Sequence, residues 1–505
     1  MPVTPAATRT RIKGTRLYIG GEPDFDGAGQ GRRLRHWRPS SSGINAILSG
    51  SLTWLRARSR DLARKDPWAG NGIETYAANL VGTGIKPMSR AKDEAFREAL
   101  QELWLDWTDE SDADGLTDFY GQQRLAARSV IEAGEVLIRF RPRRSTDGLS
   151  VPLQIQVIEA DHLPVEKTEP LPNGNQIICG VEFDTTGQRV AYWLYQKHPG
   201  EILTGNVSMI PVRVPASEVL HIFKPLRPGQ VRGYPWLSSV ILKIRDMLEY
   251  GDAEVVRKKF AAMFTAFITS QEADTAGLVG AADPETGTGG VMEPGTTQFL
   301  KPGEDIKFAE PADVGGSYEQ FMRVNLRAIA VGIGVTYEQL TGDLTGVNFS
   351  SIRAGLNEFQ RRCEAEQEQT LAFQLCRPIW ARWMDEAVLA GALAAPGYAA
   401  NPRPFRRVAW VAPGWRYVNP AQEEAADQAA IRGGTKSRRQ VVSERGDDVE
   451  RVDREIAADN ARADKLGLVL DTDARKTSAA GLTQARPGGT VLPSPDVPDG
   501  QGGSR

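Results

Sequence analysis

The amino-acid sequence predicts an α+β fold, and three observations predict it. Apolar residues recur at helical spacing from about residue 52 to 133, then at a period of two from 134 to 223. Two long helical patterns, 236–268 and 317–333, the second ending at Gly332/Gly334, bracket a Gly/Thr/Asp-rich insert that carries two short strand patterns. A third long helical pattern occupies 351–391. Helices in a run followed by strands in a run is the order of an α+β domain, not of an alternating parallel-sheet fold.

Residues 1–50 are rich in Gly, Ser, Pro and Arg and read as a flexible basic arm; residues 1–66 hold thirteen Lys and Arg against five Asp and Glu. Regular structure starts with Leu52, Leu55 and Leu62 near helical spacing. Pro67 suits the first turn of a second helix, which presents Ile73, Tyr76, Ala77 and Leu80 and stops at Gly82-Thr83-Gly84. Helices over 91–107 and 117–133 follow, the first with Phe96, Leu100, Leu103, Trp104 and Trp107 on one face. EVLIRFRPR, LQIQVIEAD, IICGVEFD and RVAYWLYQ are strand patterns divided by turn signals, and 211–223 closes this block.

Pro235 begins a pattern in which Leu237, Ile241, Ile244, Leu248, Val255, Phe260, Met263 and Phe267 predict a 33-residue helix about 50 Å long. VMEPGTTQFL and DIKFAEP predict the two strands of the insert. Pro378 lies inside the third long helix, where it removes an N–H and clashes one turn back, so a kink is expected. RRVAWVAP predicts a further strand, 421–470 a charged helical region, and 471–505 a disordered polar tail.

Composition narrows the function. At 505 residues, 41% hydrophobic and 25% charged, the chain suits several packed units. Its 61 basic and 64 acidic residues give a net charge of −3, which excludes a generally polycationic nucleic-acid binder but not local patches. Three cysteines, Cys179, Cys363 and Cys376, make no disulfide framework and suit a reducing compartment. No run approaches about 18 consecutive apolar residues, so no membrane span is expected. The nearest approach to a phosphate loop, Gly433-Gly434-Thr435-Lys436-Ser437, lacks the Gly before the Lys. The four histidines are scattered and no metal or cofactor site is read. The acidic group Asp106, Asp109, Glu110, Asp112 and Asp114 reads as a solvated turn between helices, its alternative being a metal-dependent DNA-processing enzyme.

The segments RSRDLARKDPWAGNGIETYAANLVGTGIKP, PLQIQVIEADHL, RVPASEVLHIFKPLRPGQVRGYPWL, DAEVVRKKFAAMFTAFI and GVTYEQLTGDLTGVNFSSIRAGLNEFQRR resemble, collinearly, the lambda family of tailed-phage portal proteins. The likeness covers about residues 35–470. It implies a portal fold and a ring, typically of twelve copies, at one capsid vertex, with double-stranded DNA passing along its axis. It also implies a wing at 51–235, a first stem helix at 236–268, a clip at 269–316 and a second stem helix at 317–340. A tunnel loop at 341–350, a kinked helix and return strand at 351–420, and a crown at 421–470 complete the set.

Carried onto this chain, the tunnel-loop residues are Gly342, Asp343, Thr345, Gly346 and Asn348. Lys243, Arg257, Lys258 and Lys259 are candidate DNA-facing stem residues; ion pairing between subunits or a solvated face is the other reading. Phe260, Met263 and Phe267 are expected to pack the stem. The implied partners are further copies of the chain, the terminase large subunit, head-completion adaptors, and the major capsid and scaffold proteins. The implied place is the virion, with assembly in the host cytoplasm. No catalytic residue is implied, and a non-channel minor capsid or scaffold subunit remains an alternative. A near-neutral subunit fits a conduit, because each strong phosphate contact would hold the DNA still.

Overall fold

The computed structural model describes residues 32, 36–201, 209–262, 266–270, 304–308, 317–415, 420–468, 470, 473 and 475, side chains at 260–262, 266–270, 304–308, 317 and 349 excepted. The chain opens with helices α1 (Ile44–Lys65) and α2 (Pro67–Val81). Asp66 separates them and caps α2, accepting the Ala69 N–H at 2.5 Å, and Pro67 takes the first turn as expected. Strand β1 (Lys86–Ser89), absent from the sequence reading, leads to α3 (Glu94–Glu110) and α4 (Phe119–Ala133). Asp93 and Asp118 cap these helices.

The strand block contains β2 (Glu135–Pro142), β3 (Leu153–Glu159), β4 (Glu169–Pro170), β5 (Gln176–Ile178), β6 (Val181–Phe183), β7 (Arg189–Leu194), β8 (Val212–Pro215) and β9 (Val219–Phe223). They form two antiparallel sheets, in orders β3-β2-β9 and β4-β5-β6-β7-β8. The segment IICGVEFD, read as one strand, is a hairpin. Cys179 (φ +49) and Gly180 (φ +84) both take positive φ and reverse the chain between β5 and β6. Val136, Ile138 and Phe140 of β2 face the helices, while Leu137 faces the other sheet with Val181, Tyr192, Leu194 and Val214.

After a short 3-10 turn at Trp236–Ser239 comes α5 (Ile241–Ala262), then strand β10 (Ala266–Ser270), paired antiparallel with β11 (Glu304–Phe308). The continuous helix expected over 236–268 is therefore three elements. The Ala-Phe-Ile-Thr-Ser run fits a helical stripe and an alternating strand equally, and its β-branched residues find a partner strand 38 positions on. Phe267 belongs to that strand, opposite Lys307, and not to a helix. Met263, the side chains of Phe260 and Phe267, and VMEPGTTQFL lie outside the described residues, as does most of 269–316, the segment expected to be the clip.

The second stem helix, expected to reach 340, is also divided. Helix α6 (Ser317–Ile333) stops at Gly334 (φ +99), and Thr336 starts the short α7 (Tyr337–Thr341) with a capping box to Gln339. Helix α8 (Phe349–Glu366) runs into a π-helical stretch, Gln367–Cys376, and then α9 (Arg377–Leu389). The Arg377 N–H reaches back five residues to the Ala372 carbonyl. A widened turn directly ahead of Pro378 relieves the clash of its ring with the carbonyl four residues earlier. Strand β12 (Val408–Val411) pairs antiparallel with β1, and α10 (Pro420–Arg432), α11 (Arg438–Glu444) and α12 (Val449–Leu466) follow.

One apolar core joins α2, α3, α4, β2, β3, α5, α6 and α9. At its centre Trp104, Trp107, Trp380 and Trp383 are all buried, Trp104 lying 4.9 Å from Trp383 and 5.0 Å from Trp380 between ring centroids. Such aromatic pairs contribute beyond their buried area. Cys363 and Cys376 are buried, and burial pushes both thiols up, Cys363 to about 12. Neither is placed to be a nucleophile. No helix among the described residues is long and apolar enough to cross a membrane.

Candidate nucleic-acid interface

The segment 341–350 is a tightly bonded turn. Gly342 (φ +73) ends α7, its N–H donating to the Glu338 carbonyl at 2.8 Å. The Asp343 carboxylate Oδ1 accepts the Thr345 N–H at 3.0 Å and the Thr345 hydroxyl at 2.5 Å, and Oδ2 accepts the Tyr337 hydroxyl at 3.1 Å. These bonds, Thr345 first, hold the Asp343 carboxyl below the usual carboxylate range. Gly346 takes φ +72, and Asn348 caps α8 by accepting the Ser351 N–H at 2.8 Å and hydroxyl at 2.7 Å. Helix α7, from which the turn departs, is pinned to α2, where Asn71 donates to the Gln339 and Leu340 carbonyls at 2.9 and 2.8 Å.

The Asp343 carboxylate and the Asn348 Oδ1 are thus committed to shaping the turn. Leu344, 64% exposed, stands out to solvent at the tip with Thr345 and Gly346, and Gly342, Asn348 and Ser350 are exposed beside them. The turn itself contains no cation.

Helices α5 and α6 pack through Ile241, Ile244 and Met247 against Leu326, Ile329, Ala330 and Ile333. Tyr250 stacks on Tyr318 with ring centroids 5.8 Å apart. Their charges are arranged unequally. The Arg257 guanidinium grips Glu254, one turn back and buried, through two bonds of 2.6 and 2.9 Å. Within one chain this pairs Arg257 with Glu254 along the same helix. Lys258 lies 5.6 Å over the Tyr318 ring and 3.8 Å from Glu254. Lys243 donates to the Asn325 amide oxygen across the helix pair at 3.2 Å. Lys243, Lys258 and Lys259 are exposed, so the structure keeps three of the four candidates on the surface. Leu242, Val255 and Val256 of α5 and Phe321, Val324 and Val331 of α6 are also exposed. These two helices leave apolar surface uncovered within one chain.

Of the acidic group expected to be a solvated turn, Asp106, Asp109 and Glu110 belong to the last turns of α3, and only Asp112 and Asp114 lie in the turn that follows, Asp112 being buried. Asp112 accepts the N–H groups of Asp114, Leu116 and Thr117 at 2.9–3.2 Å and the Gln122 amide at 2.8 Å. With its oxygens so committed, Asp112 shapes the α3–α4 turn. A second cluster, Glu159, Asp161 and His198, is bridged by Arg60, 2.7 Å from both carboxylates. His198 Nδ1 accepts the Gly200 N–H, so its Nε2 carries the proton and faces Glu159 at 3.3 Å. Arg60 thus supplies the positive charge between the two carboxylates of this cluster.

One feature has no local sequence signal. Glu135, completely buried, is surrounded by Arg56, Arg232, His221 and the Gly233 N–H. Its partners stand 79, 97, 86 and 98 positions away.

Set against known proteins, residues 30–367 match the sequence profile described as phage portal protein, lambda family. The probable portal protein of Halomonas phage phiHAP-1 is 27% identical over 482 residues, spanning 92% of this chain and 91% of the relative. Portal protein B of Escherichia phage lambda is 23% identical over 512 residues, spanning 91% and 93%. Among solved structures, a chain from the neck of a native GTA particle computed with C12 symmetry aligns at 15% identity and a TM-score of 0.45, covering 75% of this chain and 89% of its own. A chain from the neck of the empty GTA particle, computed with C6 symmetry, aligns at a TM-score of 0.47 and 15% identity, covering 80% and 92%.

Proposed function

Since the chain belongs to the lambda family of phage portal proteins, we propose that its copies close into a twelve-membered ring at one capsid vertex, the channel through which double-stranded DNA is packaged and ejected. The collinear family match over residues 30–367 carries this reading. In it α5 and α6 are the stem, and the strands β10 and β11 belong to the clip that receives the terminase large subunit and later the head-completion adaptors. The ring sits in the virion against the major capsid protein, after assembly with scaffold in the host cytoplasm. The chain is a conduit and not an enzyme.

Two physical features support it. The exposed Leu242, Val255, Val256, Phe321, Val324 and Val331 on α5 and α6 are surface that neighbouring copies would cover, and unlike faces repeated around an axis must close into a ring or grow into fibres. The loop 342–348 has no cation, and the stem's Arg257 is neutralised by Glu254. A wall of that kind touches the duplex sterically and forms few of the phosphate contacts that would arrest it.

Negative-stain images of the purified full chain test the ring: annuli with a central hole are expected, and a monomer at every concentration would refute it. Deleting residues 342–348 and rejoining the ends with a short Gly/Ser linker is expected to leave rings intact while DNA packaging is lost. Loss of the rings in that variant would make the segment a structural turn only.

A further inference from the structure

A row of arginines on the central strand β2 is used by none of the roles above. The side chains of Arg139 and Arg141 lie on the strand face opposite Val136, Ile138 and Phe140, and Arg143 continues the alternation just past the strand's end. At about 3.3 Å per residue, successive members start about 6.6 Å apart. Their bearing is stiff, because β2 is held by β3 on one side and β9 on the other.

The row is oriented without being neutralised. Arg141 donates through Nε and Nη2 to the Gln156 amide oxygen at 3.0 and 2.6 Å, and Arg143 through Nε to that of Gln154 at 2.7 Å. The two glutamines are themselves fixed: Gln154 donates to the Glu110 and Asp112 carbonyls, and Gln156 to the Asp114 carboxylate at 2.7 Å. Among the described residues, no carboxylate lies within ion-pair distance of Arg139, Arg141, Arg143 or Arg144. Arg139 is half-buried, with an Nε that has no hydrogen-bond partner. Burial, then the nearby charges of Arg139 and Arg143, hold the Arg141 guanidinium below its ordinary value, with Asp114 opposing. Crowding like charges on one strand face without acidic partners is unfavourable in the free protein and is relieved by an anion.

We propose that Arg139, Arg141 and Arg143 form a sequence-blind binding strip for the phosphodiester backbone of double-stranded DNA, separate from the channel candidates. Three guanidiniums in line suit a polyanion whose charge repeats at each nucleotide better than one isolated phosphate. Guanidinium forks bond phosphate oxygens two at a time, and the partners Gln154 and Gln156 present no apolar pocket in which a peptide side chain would seat. Contacts of this kind position a duplex and carry no sequence information.

The test uses the full chain and relaxed closed-circular DNA, which has no free end to enter a closed ring, so the outcome does not depend on the channel reading. Wild-type protein is expected to bind circles of unrelated sequence alike. In the variant R141Q/R143Q, the slope of log affinity against log salt should fall by about two, near 0.9 per lost contact. The charge-matched control R361Q/R462Q, on exposed helix positions, is expected to keep the wild-type slope. An unchanged slope in R141Q/R143Q, or an equal fall in the control, overturns the proposal. So does displacement of the circles by poly-glutamate at equal charge, which would assign the strip to an acidic polypeptide.

Discussion

Glutamine in place of Glu135 is expected to destabilise the protein by about 3–5 kcal/mol, the range found when one member of a buried ion cluster loses its charge. The substitution keeps the shape of the side chain and removes only its ionisation. Oε1 accepts Arg56 Nη2 at 2.8 Å and Arg232 Nη2 at 2.5 Å; Oε2 accepts His221 Nε2 at 2.9 Å and the Gly233 N–H at 2.7 Å. Arg56 and Arg232 are each about as deeply buried as the carboxylate, so E135Q leaves guanidinium charge in the interior facing a neutral amide. Asp161, 3.6 Å from Arg56, compensates only in part.

The same cluster sets the acid limit of the fold. Burial raises the Glu135 carboxyl, but Arg232, His221 and Arg56 outweigh it and hold the group far below the usual range. Burial lowers His221 to about 4, against the pull of Glu135. Both folded values lie below the unfolded ones, about 6.5 for His and 4.3 for Glu, so the unfolded chain takes up protons that the folded one refuses. Stability is therefore complete above about pH 6.5 and declines as pH falls, through His221 down to about 4 and through Glu135 below that. Melting temperatures from pH 7.5 to 4.5 should trace this fall, and H221Q should flatten it between 6.5 and 4. A wild-type curve that is flat across that window, or an E135Q melting temperature equal to wild type, would show that the cluster carries no such load.

How much of this was legible beforehand follows from the range of each interaction. The α2 boundaries are local: Asp66 and Pro67 start it and Gly82 stops it, within a few bonds of the residues concerned. The alternation in β2 and β3 is local too, since one buried face fixes the period. The division of 236–268 was not legible, because a five-residue apolar run takes its state from its partner, and β11 stands across the intervening insert. The stop at Gly332/Gly334 was legible, because the apolar helical spacing that starts at 317 runs out at those glycines. In the candidate interface, the glycines of 342–348 announced a turn. The commitment of Asp343 to Thr345 and Tyr337 depends on side-chain geometry that spacing does not encode. The Glu135 cluster is the extreme case: four partners from three separate segments, around 56, 221 and 232–233, each an unremarkable residue in its own context.

Alanine at position 233 is expected to be at least as damaging as loss of the Glu135 charge, above the usual range of about 0.5–3 kcal/mol for single substitutions. Here two backbone segments cross glycine on glycine. A Cβ on Gly233 would stand 2.1 Å from the Gly134 carbonyl oxygen and 2.6 Å from the Phe223 Cβ. A Cβ on Gly134, at φ +91, would stand 2.2 Å from the Tyr234 carbonyl carbon. The obstacles are main chain, so no side chain can swing aside and the segments themselves must part. Gly134 ends α4 and leads into Glu135, while the Gly233 N–H bonds that same carboxylate. The crossing and the ion cluster are one structure, and they fix where the chain leaves the sheets for Trp236 and α5. Pushing 233 away breaks the bond from its N–H and draws Arg232 off Glu135, so G233A and E135Q should remove overlapping interactions. Their double variant is expected to lose less than the sum of the two, measured by denaturant unfolding at pH 7.5. Strict additivity would mean that the crossing and the cluster act independently, and that the orientation of α5 rests on the apolar contacts of Ile241, Ile244 and Met247 alone.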